Sequence, residues 1–108
     1  MAKLERSLQG NFDEILLRID RAVMGGSLTA SLEEVSEFRD GNTRCSVRVY
    51  ERYSWLGSNR VSMTVTLFQG ESGRLWLSAA TSGGSQAMFF KFNTFGEEAF
   101  LDTIRSIF

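Results

Sequence analysis

The segment from residue 43 to residue 80 most constrains the fold, because apolar and polar residues alternate along it in successive runs. Residues 43–53, 61–68 and 74–80 each follow a two-residue period, which is typical of strands with one buried face. Short turn segments containing Gly57, Gly70 and Gly73 separate the runs. Connections of that length join antiparallel neighbours, so the segment predicts an antiparallel meander.

Two further strands are predicted before this meander. Residues 2–9 alternate, and so do residues 27–33, after which the pattern slips near Glu34 in the manner of a β-bulge. Asp40 and Gly41 are a typical two-residue hairpin turn leading into residue 43. Residues 88–92 form a short aromatic run that an additional edge strand would also fit.

Two helices complete the predicted elements. Asn11, with Glu14 three residues later, has the spacing of a helix cap, and Gly25 and Gly26 end the helix. Its apolar stripe is Phe12, Ile15, Leu16, Ile19 and Val23. Thr94 and Glu97 repeat the capping spacing before a final helix with an apolar face.

The predicted order is β-α-β-β-β-β-α within one domain over residues 1–108. Helices packed on one face of an antiparallel sheet of about five strands give a two-layer α+β sandwich. This element order resembles the TATA-binding-protein-like group of folds, a likeness of topology that carries no function.

Composition limits the chemistry open to this chain. The sequence has no histidine, a single cysteine and a formal net charge of −1. Without histidine it lacks the commonest general base and metal ligand, and we predict no metal, no cofactor and no catalytic residue. One cysteine allows no internal disulfide. No stretch of the sequence approaches the roughly 18 apolar residues that span a bilayer. From both observations we expect a cytoplasmic protein that contacts no membrane.

The second face of the predicted sheet carries arginines, aromatics and hydroxyl groups. We expect Cys45 and its alternate neighbours to point to the core, as a buried cysteine usually does. The residues between them would then face away from the helices. The candidate interface residues are Arg44, Arg48, Tyr50, Arg52, Phe68 and Trp76.

This face has three interpretations. It is a solvated surface on which Arg44 lies opposite Glu37 and Arg48 opposite Glu33, or it is the contact of a homo-oligomer, in the simplest case a dimer. Aromatic residues and arginine are enriched at such contacts, and Trp76 and Tyr50 would be the anchors. Single-stranded nucleic acid is the third interpretation, which the slightly acidic balance disfavours.

A second candidate site is the polar loop over residues 81–87. Consecutive glycines let backbone N–H groups converge on an anion, and serines add donors. The candidate ligand-binding residues are Ser82, Gly83, Gly84, Ser85 and Gln86. The loop lacks the lysine and the spacing of a phosphate-binding Walker motif, so a plain connection is the alternative.

Three segments together resemble a family of small bacterial proteins known only as a domain of unknown function. They are residues 42–45, residues 50–55 and residues 81–87. The resemblance implies a bacterial source and a stand-alone domain, and it implies no activity, ligand or catalytic residue. We expect a non-catalytic binding or self-association domain. A carrier of a small apolar or anionic ligand is the alternative, and an enzyme ranks third.

Overall fold

A computed structural model describes residues 2–54, 59–83, 100–105 and 107–108. Five strands and two helices are present. The strands are β1 (Ala2–Leu8), β2 (Ser31–Asp40), β3 (Thr43–Ser54), β4 (Asn59–Gln69) and β5 (Leu75–Gly83). Helix α1 spans Phe12–Gly25, and residues 100–105 are helical and are called α2.

The strands form one antiparallel sheet in the order β1-β5-β4-β3-β2. Strands β2 to β5 are a meander, and β1 pairs with β5 at the edge. The predicted fold class, an α+β fold in β-α-β-β-β-β-α order, is confirmed. Neither helix of the described chain is long and apolar enough to cross a bilayer.

Helix α1 begins where the sequence predicts. The side chain of Asn11 accepts a hydrogen bond from the backbone N–H of Glu14 over 3.0 Å, which satisfies a donor that the first helical turn leaves free. Asp13 and Glu14 in that turn complement the positive end of the helix dipole. The five residues of the predicted stripe are all buried.

The hydrophobic core lies between the two helices and the inner side of β1, β5 and β4. Its strand residues alternate along each chain segment, as a sheet with one buried face requires. They are Ala2, Leu4, Val61, Met63, Val65, Leu67, Leu75, Leu77 and Ala79. The α2 residues Phe100, Leu101 and Ile104 are fully buried with them.

Several predicted boundaries differ from the structure. Strand β2 begins at Ser31 instead of residue 27, and Leu28 is fully exposed in the turn before it. The bulge lies between Leu32 and Glu34. Asp40 pairs with Thr43, so the hairpin turn is Gly41 with the residue after it. Gly41 has a φ of 62°, a left-handed conformation that favours glycine.

Some predictions lie outside the described residues. They are the turn at Gly57, the aromatic run over residues 88–92 and the cap formed by Thr94 and Glu97.

Candidate functional site

The sheet has one face that neither described helix covers, which we call the open face. Residues directly opposite each other on neighbouring strands share a face, so the strand registers define rows across the sheet. The first row is Phe38, Cys45, Phe68, Trp76 and Ser7. The second is Ser36, Val47, Thr66, Ser78 and Glu5, and the third is Glu34, Val49, Thr64, Ala80 and Lys3.

The first four residues of the first row form what we call the aromatic row. Phe38 is 65% exposed, Trp76 is 51% exposed and Phe68 is 39% exposed. Cys45 lies between Phe38 and Phe68 and is partly exposed. A continuous line of exposed apolar side chains across four strands is unusual for surface that only meets water, and it is typical of binding surfaces.

The centre of the open face carries no charged side chain. Strands β3, β4 and β5 contribute nine residues there, all apolar or hydroxyl-bearing: Cys45, Val47, Val49, Thr64, Thr66, Phe68, Trp76, Ser78 and Ala80. Charges lie at the edges of these rows, with Glu5 and Lys3 on β1 and Glu34 on β2. An uncharged centre with a charged rim is the composition of a protein interface.

A hollow of about 290 Å³ lies on this face beside the aromatic row. Strands β1, β5 and β4 line it, and its lining includes Ser7, Thr66, Phe68, Trp76 and Ser78. The volume is several times the roughly 30 Å³ that one water molecule occupies in the liquid. The hollow therefore has room for a side chain of another molecule.

Arg74 contacts two of the residues that line the hollow, Trp76 and Ser7. Its guanidinium carbon lies 5.4 Å from the centroid of the Trp76 ring, and its Nε donates a hydrogen bond of 2.7 Å to Oγ of Ser7. A cation over an aromatic face is attracted to the ring electrons. These contacts fix Arg74 and Trp76 relative to each other.

Four of the six predicted interface residues lie on the other side of the sheet. Arg44, Arg48, Tyr50 and Arg52 are on the face that the helices cover, so the structure separates them from Phe68 and Trp76. The prediction that all six share one surface is wrong. Strand β3 directs its valines outward and its arginines inward, the opposite of what hydrophobicity alone predicts.

The predicted cross-strand ion pairs also differ from the structure. Arg44 lies opposite Arg39, and Arg48 lies opposite Val35, because the hairpin turn is displaced along the chain by one residue. Arg48 reaches Glu37 diagonally, with 3.7 Å between Nη2 and Oε1.

Arg44 joins strand β3 to the start of helix α1. Its Nη1 and Nη2 donate hydrogen bonds of 3.1 and 3.0 Å to the two carboxylate oxygens of Asp13. Its guanidinium carbon lies 4.1 Å from the centroid of the Phe12 ring. The Arg44 hydrogen bonds lower the pKa of Asp13, and those same bonds raise the pKa of Arg44.

Tyr50 joins the same strand to the middle of the helix. Its side chain is fully buried, and its hydroxyl donates a hydrogen bond of 3.1 Å to Oδ1 of Asp20. Burial of the phenol raises the pKa of Tyr50 to about 12, and the charge of Asp20 acts in the same direction. Arg48 approaches the same Asp20 oxygen, with Nη1 3.7 Å away.

Two polar atoms on the covered face have no hydrogen-bond partner within the described part of the chain. They are Oγ of Ser46 and Nε of Arg48, and both are buried. Arg52 lies over the ring of Phe100, 4.7 Å from its centroid, and burial lowers the pKa of its guanidinium. The Arg52 contact joins the sheet to α2, and all three residues lie on the covered face.

Cys45 is not in the core, contrary to our expectation. It lies on the open face as the second member of the aromatic row, and it is partly exposed. Phe38, Val47 and Val49 also lie on this face, and we did not predict them there. The sequence feature that could have indicated the inward direction of the arginines is the pair Asp13 and Asp20. These acids lie two helical turns apart on α1, and they form ion pairs with Arg44 and Arg48.

The polar loop is described only in part. Ser82 and Gly83 belong to strand β5, and Ser82 Oγ lies 3.0 Å from Ser62 Oγ. Gly84, Ser85 and Gln86 lie outside the described residues. Among the residues that the structure describes, no group of three or more Cys, Asp or Glu side chains is placed to hold a metal ion.

The fold and the open face define a small α+β protein with one sheet face that the described helices cover and one that they do not. The chain belongs to a family of unknown function (DUF6054), whose model matches residues 1–108. No curated protein matches it.

Proposed function

We propose that this chain is a non-catalytic domain that self-associates through the open face of its sheet, forming a homodimer. The observation that carries the proposal is the aromatic row, in which Phe38, Phe68 and Trp76 are all exposed. Burying such side chains against a partner removes apolar area from water, and each Å² contributes about 25 cal/mol before the costs of association.

The size of the open face supports a stable contact. Five strands about 4.8 Å apart and about 30 Å long present roughly 600 Å² in projection, and protruding side chains enlarge that area. A standard protein interface buries about 800 Å² on each partner. The face is therefore of the right order for a complete interface.

The charges of the chain permit a second copy as the partner. The formal net charge is −1, so two copies repel each other weakly at long range. The nine central positions of the open face are uncharged, so face-to-face packing buries no unpaired charge there. Single-stranded nucleic acid fits less well, because Arg44, Arg48 and Arg52 are on the covered face.

Sedimentation velocity over roughly 1 to 100 µM tests the proposal, since that range brackets micromolar dissociation constants. We expect the wild-type protein to be dimeric. Replacing both Phe68 and Trp76 by Ser should weaken the dimer by about 2 kcal/mol or more, which is at least about 30-fold in dissociation constant. The control is Leu17→Ser, which removes a 48% exposed apolar side chain from helix α1 and should leave the dimer intact.

A wild-type protein that sediments as a monomer throughout this range would contradict the proposal. A double variant that remains dimeric while Leu17→Ser dissociates would move the interface to the helical side. Circular dichroism of each variant establishes that it is folded.

A location in the cytoplasm and a bacterial source belong to this proposal as well. The single, partly exposed Cys45 supports a reducing compartment, where an unpaired thiol persists. Carriage of a small apolar ligand in the hollow beside Trp76 is the alternative, and a ligand retained through purification would favour it.

A further inference from the structure

We propose that the two copies pack about a twofold axis parallel to the strands, so that Phe38 of each copy enters the hollow beside Trp76 of the other. This arrangement rests on the self-association proposed above and specifies its geometry. It follows from the order of residues in the rows, the position of the hollow and the placement of charge.

The aromatic row is self-complementary under such an axis. Its four residues lie on the adjacent strands β2, β3, β4 and β5. A twofold axis can run parallel to the strands, midway between β3 and β4. In the second copy the strand order is then reversed, so that β2 faces β5 and β3 faces β4. Phe38 then lies over Trp76 of the second copy, and Cys45 lies over its Phe68. Every member of the row meets an apolar side chain.

The hollow and the protruding ring match in position. The hollow is centred on β5, with β1 and β4 on its two sides. Phe38 lies on β2, three strands away, and it has the largest exposed fraction of the three aromatic rings. The same axis superposes β2 on β5 of the second copy, so it brings this ring onto the hollow.

Charge at the rim agrees with the same axis. Glu34 and Lys3 lie at opposite ends of the third row, on β2 and β1. When the axis superposes β2 on β5 of the second copy, Glu34 comes next to that copy's β1 and its Lys3. Lys3, whose Nζ lies 2.9 Å from Oε1 of Glu5 in its own copy, thereby has a second opposite charge nearby at each end of the interface, which agrees with this orientation.

An axis perpendicular to the strands fits less well. At the second row it would turn the aromatic row toward the row that carries Thr64, Glu34 and Lys3, so the exposed rings would face charged and hydroxyl groups. At the first row it would place each Phe38 over the other Phe38, away from the hollow on β5.

Thiol crosslinking between two marked chains tests this geometry. Cys45→Ser provides a cysteine-free background, since the sequence has one cysteine. One chain then carries Ser36→Cys and the other Ser78→Cys, two positions in the second row on β2 and β5. The proposed axis places them opposite each other, separated by the spacing of packed sheets, about 10 Å. A bismaleimide of that span is the probe.

The expected result is efficient crosslinking when the two chains are mixed and little when either chain is treated alone. Under the proposed axis, Ser36 of one copy is displaced sideways from Ser36 of the other by three strands, roughly 14 Å, besides the spacing between the sheets. The crosslinker is too short for that distance, so a single chain should not crosslink to itself. Both substitutions replace small hydroxyl side chains that are at least partly exposed, so they leave the fold intact.

Two other results overturn the inference. Crosslinking of either single chain with itself, or no crosslinking in a mixture that sediments as a dimer, excludes this axis while leaving self-association standing. A wild-type chain that is monomeric removes the proposed function and the geometry together. As a second measurement, Lys3→Glu and Glu34→Lys should each weaken the dimer several-fold, and the double variant should recover most of the loss.

Discussion

The hydroxyl of Tyr50 donates a hydrogen bond to Oδ1 of Asp20 over 3.1 Å, from a side chain that is fully buried on the covered face. This contact joins strand β3 to helix α1 where the apolar core ends. It also gives the protein a titratable group whose effect on stability has a definite sign.

Stability should fall at alkaline pH because of Tyr50. The pKa of its phenol is about 12 in the folded chain, against an ordinary value of 10.0. Because its pKa is raised, the phenol stabilises the fold in its protonated form. Its contribution to the free energy of unfolding is complete below pH 10 and is lost as pH rises through 12. At about 1.4 kcal/mol for each pKa unit, the loss is roughly 2 to 3 kcal/mol.

Urea unfolding of wild type and Tyr50→Phe measures this effect. The stability difference between the two proteins should shrink between about pH 9 and about pH 12, because the variant has no proton to release there. Tyr53→Phe is the matched control, since Tyr53 is 44% exposed and donates no side-chain bond to α1. A difference that stays constant with pH would contradict this account of Tyr50.

The contact between Arg44 and Asp13 predicts a weakness at acidic pH. The pKa of Asp13 is lowered by the hydrogen bonds from Arg44. A carboxyl group whose pKa is lower in the folded chain stabilises the fold at pH values above its unfolded pKa, near 4. This contribution disappears as pH falls through the pKa of the folded state. Asp13→Asn should cost up to about 1 kcal/mol at pH 7, because Asp13 is largely exposed.

Glu14→Gln is the control for this variant. It removes a negative charge from the same helical turn, where both acids meet the same helix dipole, so the excess loss in Asp13→Asn reports the contact with Arg44. Chemical unfolding at pH 7 and near pH 2.5 is the measurement. Equal losses in the two variants at pH 7 would mean that the ion pair adds nothing.

The cap of helix α1 should contribute about 1 kcal/mol to the free energy of unfolding. Asn11 is the residue whose side chain accepts from the N–H of Glu14, and replacing such a cap by Ala removes that bond. Asn11→Asp keeps an acceptor at the same place and should restore the stability. Thermal unfolding compares the variants, and an unchanged midpoint in Asn11→Ala would refute a role for the cap.

Cys45 offers a direct reporter of the open face. It is partly exposed, so a thiol reagent should label it in dilute protein. If the protein self-associates as proposed, its labelling rate should fall as protein concentration rises, because a second copy would cover the aromatic row. Leu17→Cys in a Cys45→Ser background places the thiol on helix α1 and should react at a rate independent of concentration. A Cys45 rate that is equally independent of concentration would argue against coverage of this face.

The fold was largely predictable from the sequence, because the strands and helix α1 carry strong local signals. The stripe from Phe12 to Val23 has helical spacing, and β4 alternates between buried and exposed residues. The start of β2 was not predictable, because this edge strand is exposed along most of its length and lacks a buried face to set its pattern.

The faces of β3 were predicted the wrong way round for a physical reason. A helix about 10 Å wide cannot cover a sheet of five strands about 4.8 Å apart. The apolar stripe of α1 therefore packs over β4 and its neighbours, and the polar side of the helix borders β3. Arg44 and Arg48 can face inward there because the carboxylates of Asp13 and Asp20 form ion pairs with their guanidinium groups.

Native mass spectrometry of the freshly purified protein tests the central claim, self-association through the open face, most directly. We expect the wild-type protein to have twice the 12.2 kDa chain mass, with nothing else bound. The variant with Ser in place of both Phe68 and Trp76 should have the mass of one chain. A wild-type protein at the mass of one chain, or one carrying a retained small molecule on each chain, would contradict the account.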